Sequence, residues 1–351
     1  MRGTRHALGM VSFILLLGGP AQAWDRGHVR TFAVMPPGSS GPEGLEVGPR
    51  GQVFATGFGF TSAGSASGEG QLTVFDEHGR LIRQVQVKSS SPHLLGLRFH
   101  PKSGALLVID FGAGQVLSVD PRTGDAHPFI TLPALPHPGG SGLNDITFDH
   151  AGNVYVSDSS QGIVWKTPPN GGVAIAWVDD PLLRTTGVPP FGANGLRLNR
   201  EETALFVANT GSDTVVKIPV SGNNPGPAVI FAQSLNGADG LLIDDRDNVW
   251  VVENQSDDVV VLDPTGKAIA KLGDFGGAVR HGAPVGLLFP ASLRFSGRRL
   301  LVTNLALDLR LFSPDFTTLD SAWCAQVTRY TISEIRLDGD SDDDQNDQDE
   351  D

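Results

Sequence analysis

The sequence predicts an all-β protein that folds as a six-bladed β-propeller, and two observations carry this prediction. The chain of 351 residues contains 44 glycines and 24 prolines, and only 19% of its residues are charged. This composition, together with the scarcity of helical periodicity, is typical of many short strands joined by tight turns. In addition, a polar residue followed by an alternating apolar strand recurs about every 50 residues, which is the length of a propeller blade.

One position of this repeat, called the slot, sets its register. Successive slots are 52, 49, 50, 45 and 52 residues apart. After each slot we expect a short strand, a turn and a second apolar strand. A third strand commonly follows, and the six candidates are QLTVF, QVLSVD, GIVWK, TVVKI, DVVVL and LRLF. A sandwich or a single barrel does not explain so even a register. The slot residues are Glu43, Leu95, Asn144, Asn194, Asp239 and Ala291.

The predicted propeller spans residues 24–337, and either HVRTFAV (28–34) or VTRYTISEIRL (327–337) is expected to complete its last blade. Residues 1–23 have a basic start, an apolar core and a small-residue ending, which predicts a signal peptide and a secreted or periplasmic protein. The alternative is a membrane anchor, but the apolar stretch is short for a span. We therefore expect no membrane association after cleavage.

The charge is −13, and the C-terminal stretch 338–351 holds nine acidic residues and no basic one. This tail is predicted to be disordered. It could bind calcium loosely, but it lacks the spacing of an EF-hand loop. Nucleic acid is excluded as a partner by the acidic balance and the missing basic patch. Cys324 is the single cysteine, so it is expected to be a buried structural thiol.

The slot residues predict a metal site. The first strand of each propeller blade lines the central channel, and we expect the slot to precede it, so that the slot side chains ring the channel mouth. Glu43, Asn144, Asn194 and Asp239 offer only oxygen ligands, which suits Ca²⁺, or another divalent cation, better than zinc. Asn-Gly and Asp-Gly are also turn formers, but that alternative leaves Glu43 in the same register unexplained.

The order of these motifs (glutamate in the first blade, Asn-Asp in the third, Asn-Gly in the fourth, Asp-Gly in the fifth) resembles the SMP-30/gluconolactonase/LRE-like family. It is similar to the related paraoxonase and diisopropyl-fluorophosphatase propellers, over about residues 30–337. The resemblance implies a catalytic cation, usually calcium, on Glu43, Asn144, Asn194 and Asp239. It also implies hydrolysis of a small lactone or ester, with Asp239 as general base and Asn144 also near the substrate.

Two features keep other functions open. NDITFDHAGNVYVSDS is also similar to the NHL-type repeats of non-enzymatic propellers, so a non-catalytic propeller that binds a ligand or a protein is the alternative. Paraoxonase-like members have a histidine where Leu95 stands, and phosphatase-like members have a sixth-blade histidine that VTNLALD (302–308) lacks. Phosphotriester hydrolysis is therefore disfavoured. His93 could reach inward or lie on the surface.

Long loops at the channel mouth supply candidate substrate contacts. Each could equally be an ordinary surface residue. These candidates are His137, Phe191, Arg280 and His281. Four further polar residues could support the site or simply stabilise turns. They are Asp145, Asp158, Asn209 and Asn254.

Overall fold

In a computed structural model the chain forms a ring of six antiparallel blades, each built on four strands, which confirms the predicted six-bladed propeller. The structure describes residues 27–273, 279–317 and 321–337. The predicted signal peptide and acidic tail lie outside these residues and stay predictions. Within the described ranges there is no helix of the length and apolarity needed to cross a membrane.

In each blade the four strands follow one another from the central channel to the surface. Blades 1 to 5 take their strands from consecutive stretches of the chain. These strands are, innermost first, Pro42–Val47, Val53–Gly57, Gln71–Phe75 and Leu81–Gln86 in blade 1; Leu94–Phe99, Leu106–Asp110, Gln115–Val119 and Ala126–Thr131 in blade 2; Leu143–Phe148, Val154–Asp158, Ile163–Thr167 and Ile175–Asp179 in blade 3; Ala193–Leu198, Ala204–Asn209, Thr214–Ser221 and Val229–Gln233 in blade 4; Ala238–Ile243, Val249–Glu253, Asp258–Leu262 and Ala268–Leu272 in blade 5.

Blade 6 closes the ring with both ends of the described chain. Its two inner strands are Pro290–Ser296 and Arg299–Asn304, its third is Thr331–Arg336, and its outermost is Val29–Val34. The sequence left open which terminal segment completes the blade, and the structure uses both. Each terminal strand is thereby paired, so neither leaves an inner blade edge open.

The predicted third strand LRLF (309–312) is wrong. Leu309–Leu311 forms a 3₁₀ helix, and the side chain of Asp308 accepts a hydrogen bond from Arg310 N at 3.0 Å. An aspartate at this point caps a helical turn and so competes with an extended strand. The strand that belongs here comes about 20 residues later in the chain, at Thr331–Arg336.

Short elements decorate the blades. The small hairpins pair Phe60–Thr61 with Gly64–Ser65 and Val279–Arg280 with Ala283–Pro284. Gly172–Val173 adds a parallel strand to the edge of blade 2, and Asn224–Pro225 pairs with the end of the third strand of blade 4. The remaining elements are the 3₁₀ helix Pro181–Leu183 and the single α-helical turn Ser321–Cys324.

The core lies between neighbouring blades. The second strands of blades 1, 2 and 3 are buried along their whole length, because both faces of a blade pack against other blades. Those strands therefore read as nearly continuous apolar runs, whereas the outermost strands are largely exposed. Cys324 is 2% exposed, as predicted for a structural thiol.

Aspartates hold the hairpins that connect the first two strands of blades 3 and 5. The Asp149 side chain accepts from Asn153 N at 2.8 Å and from Tyr155 OH at 3.1 Å. Blade 5 repeats the device: Asp244 accepts from Asn248 N at 2.9 Å and from the Trp250 indole at 3.0 Å. In both hairpins the aspartate accepts from the backbone four residues later and from an aromatic side chain six residues later. These bonds fix the turn and the ring, and so position the innermost strand.

Candidate metal centre

Each slot residue is the second residue of an innermost strand, so the prediction that the slot precedes this strand is wrong. In all six blades two residues of the innermost strand oppose one of its partner, as in blade 1, where two residues lie between Pro42 and Leu45 but only one lies between their partners Gly57 and Ala55. This is the geometry of a β-bulge. The extra residue places the second and fifth residues of each strand on the same side.

The glycine that follows most slots serves close packing and not a turn. A Cβ on Gly44 would lie 2.2 Å from the carbonyl oxygen of Leu95, and one on Gly195 would lie 2.4 Å from that of Asp239. Neighbouring innermost strands therefore approach backbone to backbone. Because both glycines lie within strands, turn chemistry does not account for the repeated motif.

The structure brings the four polar slot residues into one cavity. They line it together with Asn254, and all five side chains are nearly inaccessible to solvent. The cavity volume is about 20 Å³, which is room for about one water molecule or ion. We call these residues the oxygen ring. Its members are Glu43, Asn144, Asn194, Asp239 and Asn254.

Three acceptor atoms of the oxygen ring are buried and have no hydrogen-bond partner among the described residues. They are Glu43 Oε2, Asn144 Oδ1 and Asn254 Oδ1. Two amide groups are held by neighbours: Asn254 Nδ2 donates to Asp239 Oδ2 at 3.1 Å, and Asn194 Nδ2 donates to Thr210 Oγ1 at 2.9 Å. A buried acceptor without a donor costs about 1–3 kcal/mol. A cation would satisfy several such acceptors at once.

The two carboxyl groups of the ring resist ionisation. Burial, followed by the negative charges of Asp239 and Asp145, raises the pKa of Glu43 well above its usual value. Burial also raises the pKa of Asp239 to about 7, although the hydrogen bond from Asn254 opposes the shift. A divalent cation would favour both charged forms.

The donor set fits a hard divalent cation. Within the described residues, no three His, Cys, Asp or Glu side chains form a metal-holding group. The site therefore depends on two carboxylates supplemented by carboxamide oxygens. Such a mixed set of oxygen ligands suits calcium, whereas zinc prefers histidine and cysteine ligands.

Three of the predicted substrate contacts do not reach this cavity. His137 Nε2 lies 2.9 Å from Asp179 Oδ2 and also bonds Arg184, so an ion-pair cluster holds it aside. Arg280 and His281 are exposed at the tip of a small hairpin and are not among the residues lining the cavity. Phe191 does line the cavity, and its role as a substrate contact stays a prediction.

The four supporting candidates divide by their contacts. Asn254 belongs to the oxygen ring, whereas Asp158 and Asn209 hold turns: Asp158 Oδ1 accepts from Gln161 N at 3.0 Å, and Asn209 Oδ1 accepts from Ser212 N at 3.2 Å. Asp145 belongs to a second buried cluster. His93 is not among the cavity-lining residues, because its ring bonds the carbonyl of Phe58 and stacks on another ring.

Sequence reasoning missed that second cluster, which we call the arginine ring: Arg98, Arg197, Arg294, Glu46 and Asp145. Arg197 Nη1 lies 2.6 Å from Asp145 Oδ2, Arg294 Nε lies 3.0 Å from Glu46 Oε2, and Arg98 Nη1 lies 3.6 Å from the same oxygen. All members except Asp145 occupy the fifth residue of an innermost strand. A charge repeated at this position of an apolar strand was the available signal.

Comparison with known proteins gives a consistent picture. A family model described as the SMP-30/Gluconolactonase/LRE-like region matches residues 89–273. A gluconolactonase from Xanthomonas campestris is similar in structure, with a TM-score of 0.61 and 14% identity, covering 89% of this chain and 90% of the other. The calcium-binding protein regucalcin from Agrobacterium tumefaciens gives a TM-score of 0.58 at 15% identity, with 88% and 93% covered.

A curated relative is the adipocyte plasma membrane-associated protein Hemomucin of Drosophila melanogaster. It is 26% identical over 206 residues, which cover 51% of this chain and 33% of the relative. The chain thus matches about a third of that protein's length. At these identities the structural likenesses show the propeller fold.

Proposed function

Because the chain belongs to the SMP-30/gluconolactonase/LRE-like family, we propose that it is a metal-dependent hydrolase of lactones or related esters. The observation that carries this proposal is the oxygen ring. Buried oxygen acceptors from four blades converge in one cavity, three of them have no hydrogen-bond partner among the described residues, and burial raises the pKa of both carboxyl groups. Calcium is the proposed ion, with another divalent cation as the alternative.

In this proposal Glu43, Asn144, Asn194 and Asp239 hold the ion, with Asn144 also beside the substrate. When bound, the ion supplies a Lewis acid that polarises the lactone carbonyl and stabilises negative charge on its oxygen. Asp239 accepts the proton of the attacking water as general base, because the bound cation would keep its carboxylate in the charged form that can take up a proton. The Asn254 amide orients this carboxylate through Oδ2.

The bond changes balance without another reactant. The water oxygen bonds to the carbonyl carbon, and its proton passes to Asp239. The ring C–O bond then breaks, and the proton moves from Asp239 to the departing ring oxygen. The product is the open-chain hydroxy acid, and Asp239 returns to its starting state.

Hydrolysis of δ-valerolactone, γ-butyrolactone and glucono-δ-lactone, followed by acid release with calcium or with EDTA, tests this function. We expect activity with calcium, loss of it in EDTA, and a fall in kcat of about 10²–10⁴ for Asp239→Asn, the range for removal of a general base. The matched control is Asp263→Asn, which changes an exposed turn of the same blade.

Calcium content is measured on both variants, so that loss of the ion is separated from loss of the base. A folded, calcium-loaded protein that leaves every lactone and simple ester intact would contradict the proposed function. It would instead support the alternative of a propeller that only binds its ligand.

We also propose that the mature protein is exported, to the periplasm or the medium. The support is the basic, apolar and small-residue pattern of 1–23. The expected mature N-terminus is Trp24, and N-terminal sequencing of the protein from a secreting culture tests it. A protein that keeps residues 1–23 and stays with the cells would contradict export.

A further inference from the structure

A cluster of five phenylalanine rings lies beside the oxygen ring, and we call it the aromatic rim. Its members come from blades 1 and 2, from the connection between blades 3 and 4, and from the chain after the second strand of blade 6. Neighbouring ring centroids are 4.9 Å to 6.4 Å apart, within the usual range for aromatic contacts. The rings belong to Phe58, Phe60, Phe111, Phe191 and Phe312.

The aromatic rim connects the cavity with solvent. Phe58 and Phe191 line the cavity itself, and Phe58 is only 2% exposed. Phe60 and Phe111 are half-buried beside them, while Phe312 is 37% exposed and contacts Phe58, Phe60 and Phe191. A cluster that served only the core would be covered at its outer end. The apolar surface instead runs from the oxygen ring outward.

His93 holds the inner part of the aromatic rim in place. Its Nδ1 lies 2.6 Å from the carbonyl oxygen of Phe58, and its Nε2 lies 3.2 Å from Ser65 Oγ. The imidazole stacks on Phe60 at 4.7 Å with an interplanar angle of 28°. Two rings of the rim are therefore fixed before a ligand arrives, which lowers the entropy cost of binding an apolar group.

The polar groups of the cavity all belong to the oxygen ring. The other residues that line it are apolar, and they are Phe58, Leu95, Pro189, Phe191, Phe289, Leu305 and Leu307. A sugar lactone carries several hydroxyl groups, and those that face these side chains would lose their water without gaining a partner. An alkyl or aryl group would instead bury apolar surface there.

We therefore propose that the substrates are lactones or esters with an apolar alkyl or aryl substituent, which the aromatic rim binds. This inference rests on the proposed function, and it names the substrate class of the same site. Since the cavity has room for about one water molecule or ion, the ion fills it, and the lactone stays at its mouth with the reacting carbonyl group turned toward the oxygen ring. The substituent lies along the rim.

The test is a series of δ-lactones with growing alkyl chains, from δ-valerolactone to δ-decalactone, compared with glucono-δ-lactone. Each buried methylene is worth about fourfold in kcat/KM, so the series should rise steeply over its first members. Phe312→Ala should flatten this slope, and Phe312→Leu, which restores apolar area, should recover most of it. Ile175→Ala is the control, because it removes an exposed apolar side chain from the outer strand of blade 3.

The outcomes separate this inference from the proposed function. Hydrolysis of δ-valerolactone tests the proposed function by itself. If that reaction occurs but kcat/KM does not rise with chain length, or if glucono-δ-lactone is the best substrate, the aromatic-rim inference is overturned. The proposed hydrolase function is then still supported. If no lactone or ester is hydrolysed, both fall. A slope that Phe312→Ala leaves unchanged assigns the apolar preference elsewhere and also overturns the inference.

Discussion

The channel of the propeller holds two buried polar clusters that differ in one respect, namely how their charges are compensated. The oxygen ring uses the second residue of the innermost strands and the arginine ring uses mainly the fifth, roughly 10 Å farther along each strand. In the arginine ring three guanidinium groups face two carboxylates. The oxygen ring has two carboxyl groups and no cationic side chain among its members.

The pKa values show the consequence of this difference. Burial pushes the pKa of Asp145 upward, but Arg197, Arg294 and Arg98 outweigh it and hold the pKa below its usual value. Burial, with no such cation in the oxygen ring, raises the pKa of Asp239 to about 7. Asp145 and Asp239 are both buried, yet their pKa values are shifted in opposite directions. The protein supplies its own countercharge in one ring and leaves the other suited to a cation from outside.

The three guanidinium groups of the arginine ring repel one another. Burial, followed by the charges of the neighbouring arginines, lowers the pKa of Arg98 well below its usual range. Arg197 Nε and Nη2 also have no hydrogen-bond partner among the described residues. The carboxylates of Glu46 and Asp145 therefore stabilise a cluster that is rich in positive charge. Removing one carboxylate should be more damaging than removing one from the oxygen ring.

The largest expected effect on stability follows from Asp145→Asn. This change leaves Arg197 without its carboxylate, and breaking a buried pair by removing one partner costs about 3–5 kcal/mol. The free energy of unfolding, from urea denaturation in EDTA, measures it. Asp125→Asn is the control, because it breaks the exposed pair with Lys88 and should have a much smaller effect. Equal losses for the two variants would contradict the comparison.

Glu43→Gln, in contrast, is expected to raise the free energy of unfolding of the metal-free protein. Without metal, Glu43 is a buried carboxyl group whose pKa is raised by burial and by nearby negative charge. A neutral amide needs no proton uptake when it is buried, so it avoids the cost of placing an ionisable carboxyl group in this site. We expect the metal-free protein to gain about 1–3 kcal/mol in free energy of unfolding. The stabilisation by added calcium should be lost in the same variant.

Thermal unfolding of wild type and Glu43→Gln, each in EDTA and in calcium, measures both parts of this prediction. Asp149→Asn serves as control, because it alters a buried aspartate that holds a hairpin and should destabilise the protein with or without calcium. A loss of stability for Glu43→Gln in EDTA would show that Glu43 serves the fold and not an ion.

The sequence predicted the oxygen ring better than the arginine ring for a physical reason. Six slots about 50 residues apart identify the channel side of each blade without knowledge of any loop. The β-bulge that places the second and fifth residues on one side is invisible in the sequence, and simple alternation would separate Glu43 from Glu46. Alternation alone therefore offers no reason to place the charged fifth residues in the channel.

Loop residues were predicted poorly because distant partners decide where they lie. His137 is held by Asp179 and Arg184, which are more than 40 residues away in the chain. Leu309–Leu311 has a different, local cause: Asp308, the residue directly before it, caps a helical turn. The rim phenylalanines come from four separate regions, and only the closed ring brings them together. Among these rings, the sequence predicted a substrate contact only for Phe191.

Per pH unit, the smallest expected effect on stability is a pH dependence between about pH 4 and 7 that the oxygen ring, and not the arginine ring, should produce. The folded-state pKa of Asp239 is about 7, above its ordinary value of 3.8. Between these values the folded protein binds more protons than the unfolded chain. Without metal, the contribution of this group therefore falls as the pH rises from about 4 to 7 and is constant above 7, with a slope of at most about 1.4 kcal/mol per pH unit for one proton.

The difference in unfolding free energy between Glu43→Gln and Glu43→Gln/Asp239→Asn, measured in EDTA across this range, isolates the contribution of Asp239. Asp258 in blade 5 also has a pKa of about 7, raised by burial and by Glu253, but both proteins contain it and its contribution cancels. Because calcium binds the charged carboxylates, its apparent affinity should rise about tenfold per pH unit up to 7 for one displaced proton, and then level off. Equal calcium affinity at pH 5.5 and 7.5 would mean that the ion displaces no proton. The two rings would then not differ in the way that their pKa values indicate.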